Sequence, residues 1–261
     1  MPHDVKAMHP SGRLGITFEE EPHLYTDDWG TEYTSVTTLV HKAFPEFDAA
    51  AAAERKSMKT GIPAEKYIED WAKYGEECAE LGTRTHENCE RHFLGNFDGM
   101  HSPADDDERA RFRAAWYEVE AIKDRYEVEP EKLVFSPRFR VAGSIDMFCR
   151  ARTGSGYAIG DWKFIKKLRR EAFGGKRGTT LATGIFPDCN FFHYALQLNI
   201  YRMILMVEGY IPYGAPVDLF LKKYDFEKRA FEHVQLPLYP LEALMLMSYN
   251  VTSDNLENIP F

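Results

Sequence analysis

The chain has 261 residues, 44% of them hydrophobic, and a net charge of −9. A chain of this length buries roughly three quarters of its unfolded surface, so its core needs no disulfide or metal staples, and one domain over residues 1–261 is the simplest expectation. The acidic balance argues against a protein that coats nucleic acid without regard to sequence, because such proteins neutralise phosphates with Lys and Arg.

The cysteines and the apolar segments indicate an intracellular location for the protein. The four cysteines have no CxxC spacing, which argues against a disulfide framework, a zinc ribbon or a cysteine-held iron–sulfur cluster. The first residues contain no apolar signal segment, and Arg202 and Glu208 interrupt the longest apolar segment. We therefore expect a soluble intracellular protein without a membrane association, in the cytoplasm of a host cell, with the nucleus or an organelle left open.

The first half of the chain reads as a short β element followed by helices. Residues 15–36 alternate apolar and polar positions around a turn at Asp28, Trp29 and Gly30, which predicts an N-terminal β-hairpin that is a lid or edge rather than core. Helical patterns follow at 36–44, at 64–80, in "TRTHENCERHFLG", and over a long amphipathic run from Pro103 to Tyr126.

The second half is rich in β patterns. "KLVFSPRFRV", "GSIDMFCR" and "YAIGDWKF" predict an antiparallel meander. A loop rich in Gly, Lys and Thr follows at about 174–190. A buried helix ("NFFHYALQLNIYRMILMVEG"), two strands and a closing helix complete the chain, so an α/β domain is predicted.

Two acids, Asp146 and Asp161, lie on neighbouring predicted strands, where their carboxylates would repel each other. Asp146 should point to the face opposite Ile145 and Met147, and Lys163 should fall on the face opposite Asp161 unless the strand is bent there. Each acid could be a solvated residue of a half-exposed sheet. If the strands pair, two carboxylates 4 Å apart repel by about 4 kcal/mol at an effective dielectric of 20. A divalent cation held by oxygen ligands would offset that repulsion.

At these residues the sequence resembles the PD-(D/E)XK nuclease superfamily, in particular its RecB-like exonuclease branch. "GSID" and "DWK" resemble its D…(D/E)xK signature, and "GTRTHENCE" resembles a GxxxHxxxE helix motif on His86 and Glu90. "EKLVFSPRFRVAGSID" is similar to an E…AGxID pattern that begins at Glu131, and "QLNIY" matches a QxxxY motif. "PDCNFFHYALQLNIYR" looks like viral and phage members, and the branch includes mitochondrial genome maintenance exonucleases.

The resemblance implies a restriction-endonuclease-like core: a central mixed β-sheet flanked by helices, with an N-terminal β-hairpin and helical extension. Residues 1–60 would form the hairpin and helix, and 82–235 the nuclease core. One or two Mg²⁺ or Mn²⁺ ions would be bound, and an imidazole ligand predicts tolerance of manganese. The implied ligands are His86, Asp146, Asp161, the Trp162 backbone carbonyl and Glu131, with Glu90 supporting them.

The implied activity is hydrolysis of DNA phosphodiester bonds, most simply by an exonuclease acting on DNA ends, single strands or frayed duplex during replication, recombination or repair. Asp146, Asp161 and Lys163 would be catalytic, with Lys163 orienting the attacking water. Replication or recombination proteins are potential partners, and the oligomeric state is left open. The predicted DNA-binding residues are Gln197, Tyr201, Lys166, Lys167, Arg169, Arg170, Lys176 and Arg177.

Alternative interpretations remain for several of these features. The whole chain could be a catalytically inactive DNA-binding partner on the same fold, or a structure-specific endonuclease. Gln197 and Tyr201 could be core packing with a polar rim, and the basic run could be a solvated loop. The aromatic residues Trp162, Phe164, Phe191 and Phe192 fit the core better than a base-stacking surface.

Two other sites are disfavoured. "FGGKRGTT" lacks the first glycine of a phosphate-binding loop, because Arg170 stands in that place. A zinc site on Cys78, His86, Cys89 and His92 is disfavoured because the two histidines diverge around a helix.

Overall fold

The computed structural model describes residues 5–257, with side chains to Val251. Nine strands and six helices lie in this part of the chain. The strands are β1 (Val5–Met8), β2 (Gly15–Glu19), β3 (Leu24–Asp27), β4 (Glu32–Ser35), β5 (Tyr126–Ser136), β6 (Val141–Ala151), β7 (Tyr157–Lys163), β8 (Val217–Asp225) and β9 (Ala230–Gln235). The helices are α1 (Val36–Lys42), α2 (Ala49–Thr60), α3 (Ala64–Phe93), α4 (Asp106–Arg125), α5 (Asn190–Val207) and α6 (Pro240–Glu257). No helix in this part of the chain is both long and apolar enough to cross a bilayer.

The strands form a mixed sheet flanked by helices, as predicted. The order is β1-β2-β3-β4-β6-β7-β8-β9, with β5 paired to β6 outside this path. The β5–β6–β7 meander is antiparallel, whereas β4 pairs parallel to β6 and β7 pairs parallel to β8. The β7–β8 connection contains α5, as a parallel crossover requires.

The sheet opens along one edge of β6. On one side β5 pairs with β6 from Val141 to Ala151. A strand has two edges, so β4 and β7 share the other edge: β4 pairs with 141–142 and β7 with 147–150. Residues 143–146 have neither neighbour there, and the strands diverge at this point.

Helices cover the sheet on both faces. Buried residues of α1, α5 and α6 form the largest cluster with Ile145, Ile159 and Leu219. Residues of α3 and α4 form a second cluster with Met147, Cys149 and Trp162. The buried character of α5 follows from its sequence, which is apolar on nearly every side.

The structure corrects two expectations about the first half of the chain. The N-terminal strands form a four-stranded antiparallel unit, and Ile16, Tyr25 and Tyr33 are buried in it against Phe135, so it is core rather than a lid. The patterns at 64–80 and "TRTHENCERHF" belong to one helix, α3, of 30 residues. Helix α2, which begins at an Asp48 cap and ends at a left-handed Gly61, was not predicted.

The predicted loop at 174–190 is partly ordered by its own packing. A three-residue 3₁₀ turn lies at Phe173–Gly175, and Arg177 pairs with Pro187. The fully buried Thr183 donates a hydrogen bond of 2.8 Å to the carbonyl of Ala43, which attaches this loop to the end of α1.

Candidate metal-binding active site

His86 reaches the open edge of β6 from the last third of α3. Its Nδ1 lies 3.3 Å from Oδ2 of Asp146, and its ring meets Phe164 edge-on at 5.7 Å between centroids. Burial, together with the positive charge of Lys163, lowers the pKa of His86 to about 4. The imidazole is therefore neutral at neutral pH, which is the form that binds a metal ion.

Glu131 lies on β5, directly opposite Asp146 on the neighbouring strand β6. The pairs Pro130–Met147 and Lys132–Ile145 flank this position, but Glu131 and Asp146 do not complete the ladder. Glu131 has a φ of +47°, a conformation that costs on the order of 1–3 kcal/mol for a residue other than glycine. Such strain persists only where surrounding structure imposes it, and it is common at functional sites.

Burial and neighbouring acids hold Glu131 largely protonated. Its Oε2 accepts a hydrogen bond of 2.8 Å from Ser144 Oγ. Burial raises the pKa of Glu131 to about 8, and the charge of Asp146 adds to the rise. The charge of Glu90 on α3 also raises the pKa of Glu131, and the supporting role of Glu90 stays a prediction.

The residues before and after Asp146 pack on opposite faces of the sheet. Ile145 packs in the cluster under α5, whereas Met147, two residues on, packs in the cluster under α3 and α4. The expectation that both neighbours lie opposite Asp146 is therefore wrong, because regular alternation fails where Glu131 takes its left-handed conformation. Oδ2 of Asp146 accepts the Trp162 backbone N–H at 3.1 Å, and burial raises the pKa of this carboxyl.

Asp161 and Lys163 form a buried pair at the end of β7. Nζ of Lys163 lies 2.7 Å from Oδ2 of Asp161, so both side chains point to the same side. The expectation of opposite faces is wrong, because residues two apart on a strand share a face. Burial raises the pKa of Asp161 to about 6 against the opposing effect of Lys163. For Lys163 burial lowers the pKa, but the carboxylates of Asp161 and Asp146 outweigh it and raise the pKa.

These groups fit a divalent cation. Ligand atoms of His86, Glu131 and Asp146 all lie within 4.8 Å of one another. Oδ2 of Asp161 is buried, and its charged partner is the Lys163 ammonium at 2.7 Å. In the described part of the chain His86, Glu131 and Asp146 form the one such group of ligand atoms, so the disfavoured zinc cluster does not form.

The predicted QxxxY pair lies behind β6. Tyr201 is buried, and a Cβ atom placed on Gly143 would come within 2.8 Å of the Tyr201 ring and hydroxyl. Gln197 is half-buried and hydrogen-bonded to Tyr201. The glycine therefore lets the tyrosine support the open stretch of β6, and direct contact of either residue with DNA stays a prediction.

The basic run follows β7 along the surface. All six predicted cations, Lys166, Lys167, Arg169, Arg170, Lys176 and Arg177, are exposed. Nζ of Lys166 lies 4.4 Å from the centroid of the Tyr74 ring, and the Arg170 guanidinium lies 3.9 Å from that of Phe191. Trp162, Phe164 and Phe191 are buried and Phe192 is half-buried, which favours the core interpretation of these aromatic residues.

Sequence reasoning missed two contributors to the site. The Tyr194 ring lies 4.7 Å from Nζ of Lys163, and Ser144 binds Glu131. Tyr194 lies one turn before Leu198 on α5, so its position on the helix was visible in the sequence but its partner was not.

Comparisons with known proteins give little beyond this geometry. No family model matches the chain, and no curated protein matches it. Among solved structures, a crystal structure named "Putative exonuclease" from Eubacterium rectale is similar with a TM-score of 0.37 and 12% identity. The similarity covers 67% of this chain and 65% of that chain, slightly less than two thirds of its length. At this level it carries no functional inference, and the candidate function depends on the residues themselves.

Proposed function

We propose that this chain is a divalent-metal-dependent nuclease that hydrolyses DNA phosphodiester bonds, acting as an exonuclease on DNA ends. The observation that carries the proposal is the cluster of His86, Glu131 and Asp146 beside the Asp161–Lys163 ion pair. The four matched motifs of the PD-(D/E)XK superfamily support the same function. A nuclease core over 82–235 and a role in viral, phage or organellar DNA metabolism remain part of the proposal.

Each residue of the site has a distinct task. His86, Asp146 and Asp161, with Glu131 and the Trp162 carbonyl, would hold Mg²⁺ or Mn²⁺. When bound, such an ion supplies Lewis-acid activation of the phosphate and a more acidic water. Asp161 and the ring of Tyr194 hold the Lys163 ammonium in place. That ammonium orients the attacking water and stabilises negative charge that develops on the phosphate oxygens.

Digestion of labelled DNA tests the proposal. Wild-type protein is incubated with end-labelled linear DNA and with covalently closed circular DNA, each with Mg²⁺, Mn²⁺ or EDTA. We expect loss of linear DNA from its ends with either ion, intact circles, and no product in EDTA. Cleavage of circles would replace the exonuclease by an endonuclease, and absence of all cleavage would refute a nuclease.

Substitutions connect the activity to the site. Asp161→Asn and Lys163→Met should each abolish cleavage while the thermal unfolding transition remains. Asp124→Asn and Lys6→Met are matched controls, because both side chains are exposed outside the site. Full activity in either site variant would refute the assignment.

A further inference from the structure

A large groove lies next to the site. It has a volume of about 1570 Å³ and runs between the arm, which we define as α2 and the first half of α3, and the segment that follows β7. Between residues 64 and 80 only Tyr67 of the arm is buried, so this half of α3 projects from the body. Helix α2 supports it: Nζ of Lys56 lies 4.3 Å from the Tyr67 ring centroid and 5.6 Å from that of Trp71.

The groove is positive within an acidic protein. Its lining contains seven Lys and Arg side chains against four acids, although the whole chain carries −9. Two of the acids are already engaged, since Asp48 caps α2 and Asp188 lies 3.0 Å from His193. The arm contributes Arg55, Lys56 and Lys59, which face the basic run that follows β7. A groove of this charge attracts a polyanion.

Aromatic rings line the groove together with these cations. Phe47 and Phe173, on opposite walls, are 71% and 76% exposed. Trp71 and Tyr74, on the arm, also line the groove. Exposed rings in a basic groove bind bases by stacking, and only unpaired bases present their faces to such rings. The groove therefore fits a single strand better than a duplex.

The groove is continuous with the site. Phe164 lines the groove and also contacts His86. Lys166 lines the groove and lies three residues after Lys163. Along α3 the 15 residues from Trp71 to His86 span about 22 Å. This length is several times the phosphate spacing along one strand of B-form DNA, about 3.4 Å, so several nucleotides of a strand can occupy it.

We propose that the groove between the arm and the basic run binds single-stranded DNA and leads one strand to the metal site. This rests on the proposed nuclease function and goes beyond it, because it assigns the arm, which no motif covers, as half of the substrate-binding surface. Stacking on Phe47 and Phe173 selects unpaired bases, and Arg55 and Lys59 contact phosphates.

Binding in EDTA tests this separately from cleavage. Fluorescence anisotropy is measured with a labelled oligothymidine of about twelve nucleotides and with a blunt duplex of the same length. We expect the wild-type protein to bind the single strand about tenfold or more tightly than the duplex. Phe47→Ala/Phe173→Ala should weaken single-strand binding about tenfold or more, and Arg55→Ala/Lys59→Ala should reduce the slope of log K against log salt by about 1.4.

Matched controls use exposed side chains outside the groove. Tyr213→Ala removes a ring that is 85% exposed, and Lys6→Ala removes an exposed cation of β1 that does not line the groove. Both should bind like the wild type, and thermal unfolding should be unchanged in all variants. Equal affinity for duplex and single strand, or unchanged binding by both groove variants, overturns the inference.

The two proposals fail separately. If the wild type digests DNA but the groove variants bind normally, the groove assignment is wrong and the nuclease stands. If the wild type digests nothing but the groove variants lose single-strand binding, the nuclease is wrong and the groove stands.

Discussion

Glu131 makes the metal-free protein lose stability as pH rises through neutrality. Its pKa is about 8 in the folded chain, because it is buried beside Asp146, against 4.5 for an ordinary glutamate. Between these values the folded state holds a proton that the unfolded state has released. The stabilisation that comes from this neutral carboxyl is complete below pH 4.5 and is lost as pH rises through about 8.

The magnitude follows from one proton. A single proton held only by the folded state lowers the free energy of unfolding by about 1.4 kcal/mol for each pH unit. His86, with its pKa lowered to about 4, changes stability in the opposite direction below pH 6.5, and Asp161 titrates near 6. His92, His193 and His233 also have pKa values lowered by burial and act in the same direction as His86. The difference between wild type and a variant without the Glu131 carboxyl therefore isolates its contribution, a loss of up to about 2 kcal/mol from about pH 6.5 to 8.

Urea unfolding in EDTA measures this slope. We expect Glu131→Gln to flatten it, because the amide is neutral in both states, and to be more stable than wild type at pH 8. Glu127→Gln, an exposed position on the same strand, should keep the wild-type slope. Excess Mn²⁺ should stabilise the wild type most at high pH, because the ionised carboxylate is the ligand. An equal slope in wild type and Glu131→Gln would refute the assignment of the proton to this residue.

Three further outcomes follow from contacts at the site. Gly143→Ala should destabilise the fold by about 1–3 kcal/mol in urea unfolding, since the added methyl meets the buried tyrosine ring, whereas Gly75→Ala, an open position on α3, should be neutral or stabilising. Tyr194→Leu should lower kcat and shift its pH profile by releasing the Lys163 ammonium, and Tyr194→Phe, which keeps the ring, should restore both; equal loss in the two variants would contradict a positioning role. Mn²⁺ should raise the Tm of the wild type but not that of Asp146→Asn, and an equal rise in both would place the ion elsewhere.

Local patterns were sufficient for much of the fold. The patterns of β6, β7 and α5 predicted these elements close to their observed bounds, whereas β5 begins at Tyr126, six residues before the predicted strand, and ends at Ser136, before the turn that the prediction included. Helix α2 escaped because its run of alanines carries no apolar stripe. The N-terminal strands were mistaken for a lid because their burial depends on Phe135, which is distant in the chain.

The sequence by itself determined which residue types could form a site, because the spacing of Asp146, Asp161 and Lys163 on adjoining strands is a local property of the β5–β7 meander. Only the tertiary structure decided that Glu131 stands across from Asp146 in a left-handed conformation, that Tyr194 holds Lys163, and that the arm faces the basic run. The physical reason is that these contacts join residues far apart in the chain. Their geometry is set by how helices pack on the sheet and where β4 and β7 diverge, which no periodicity within one segment records.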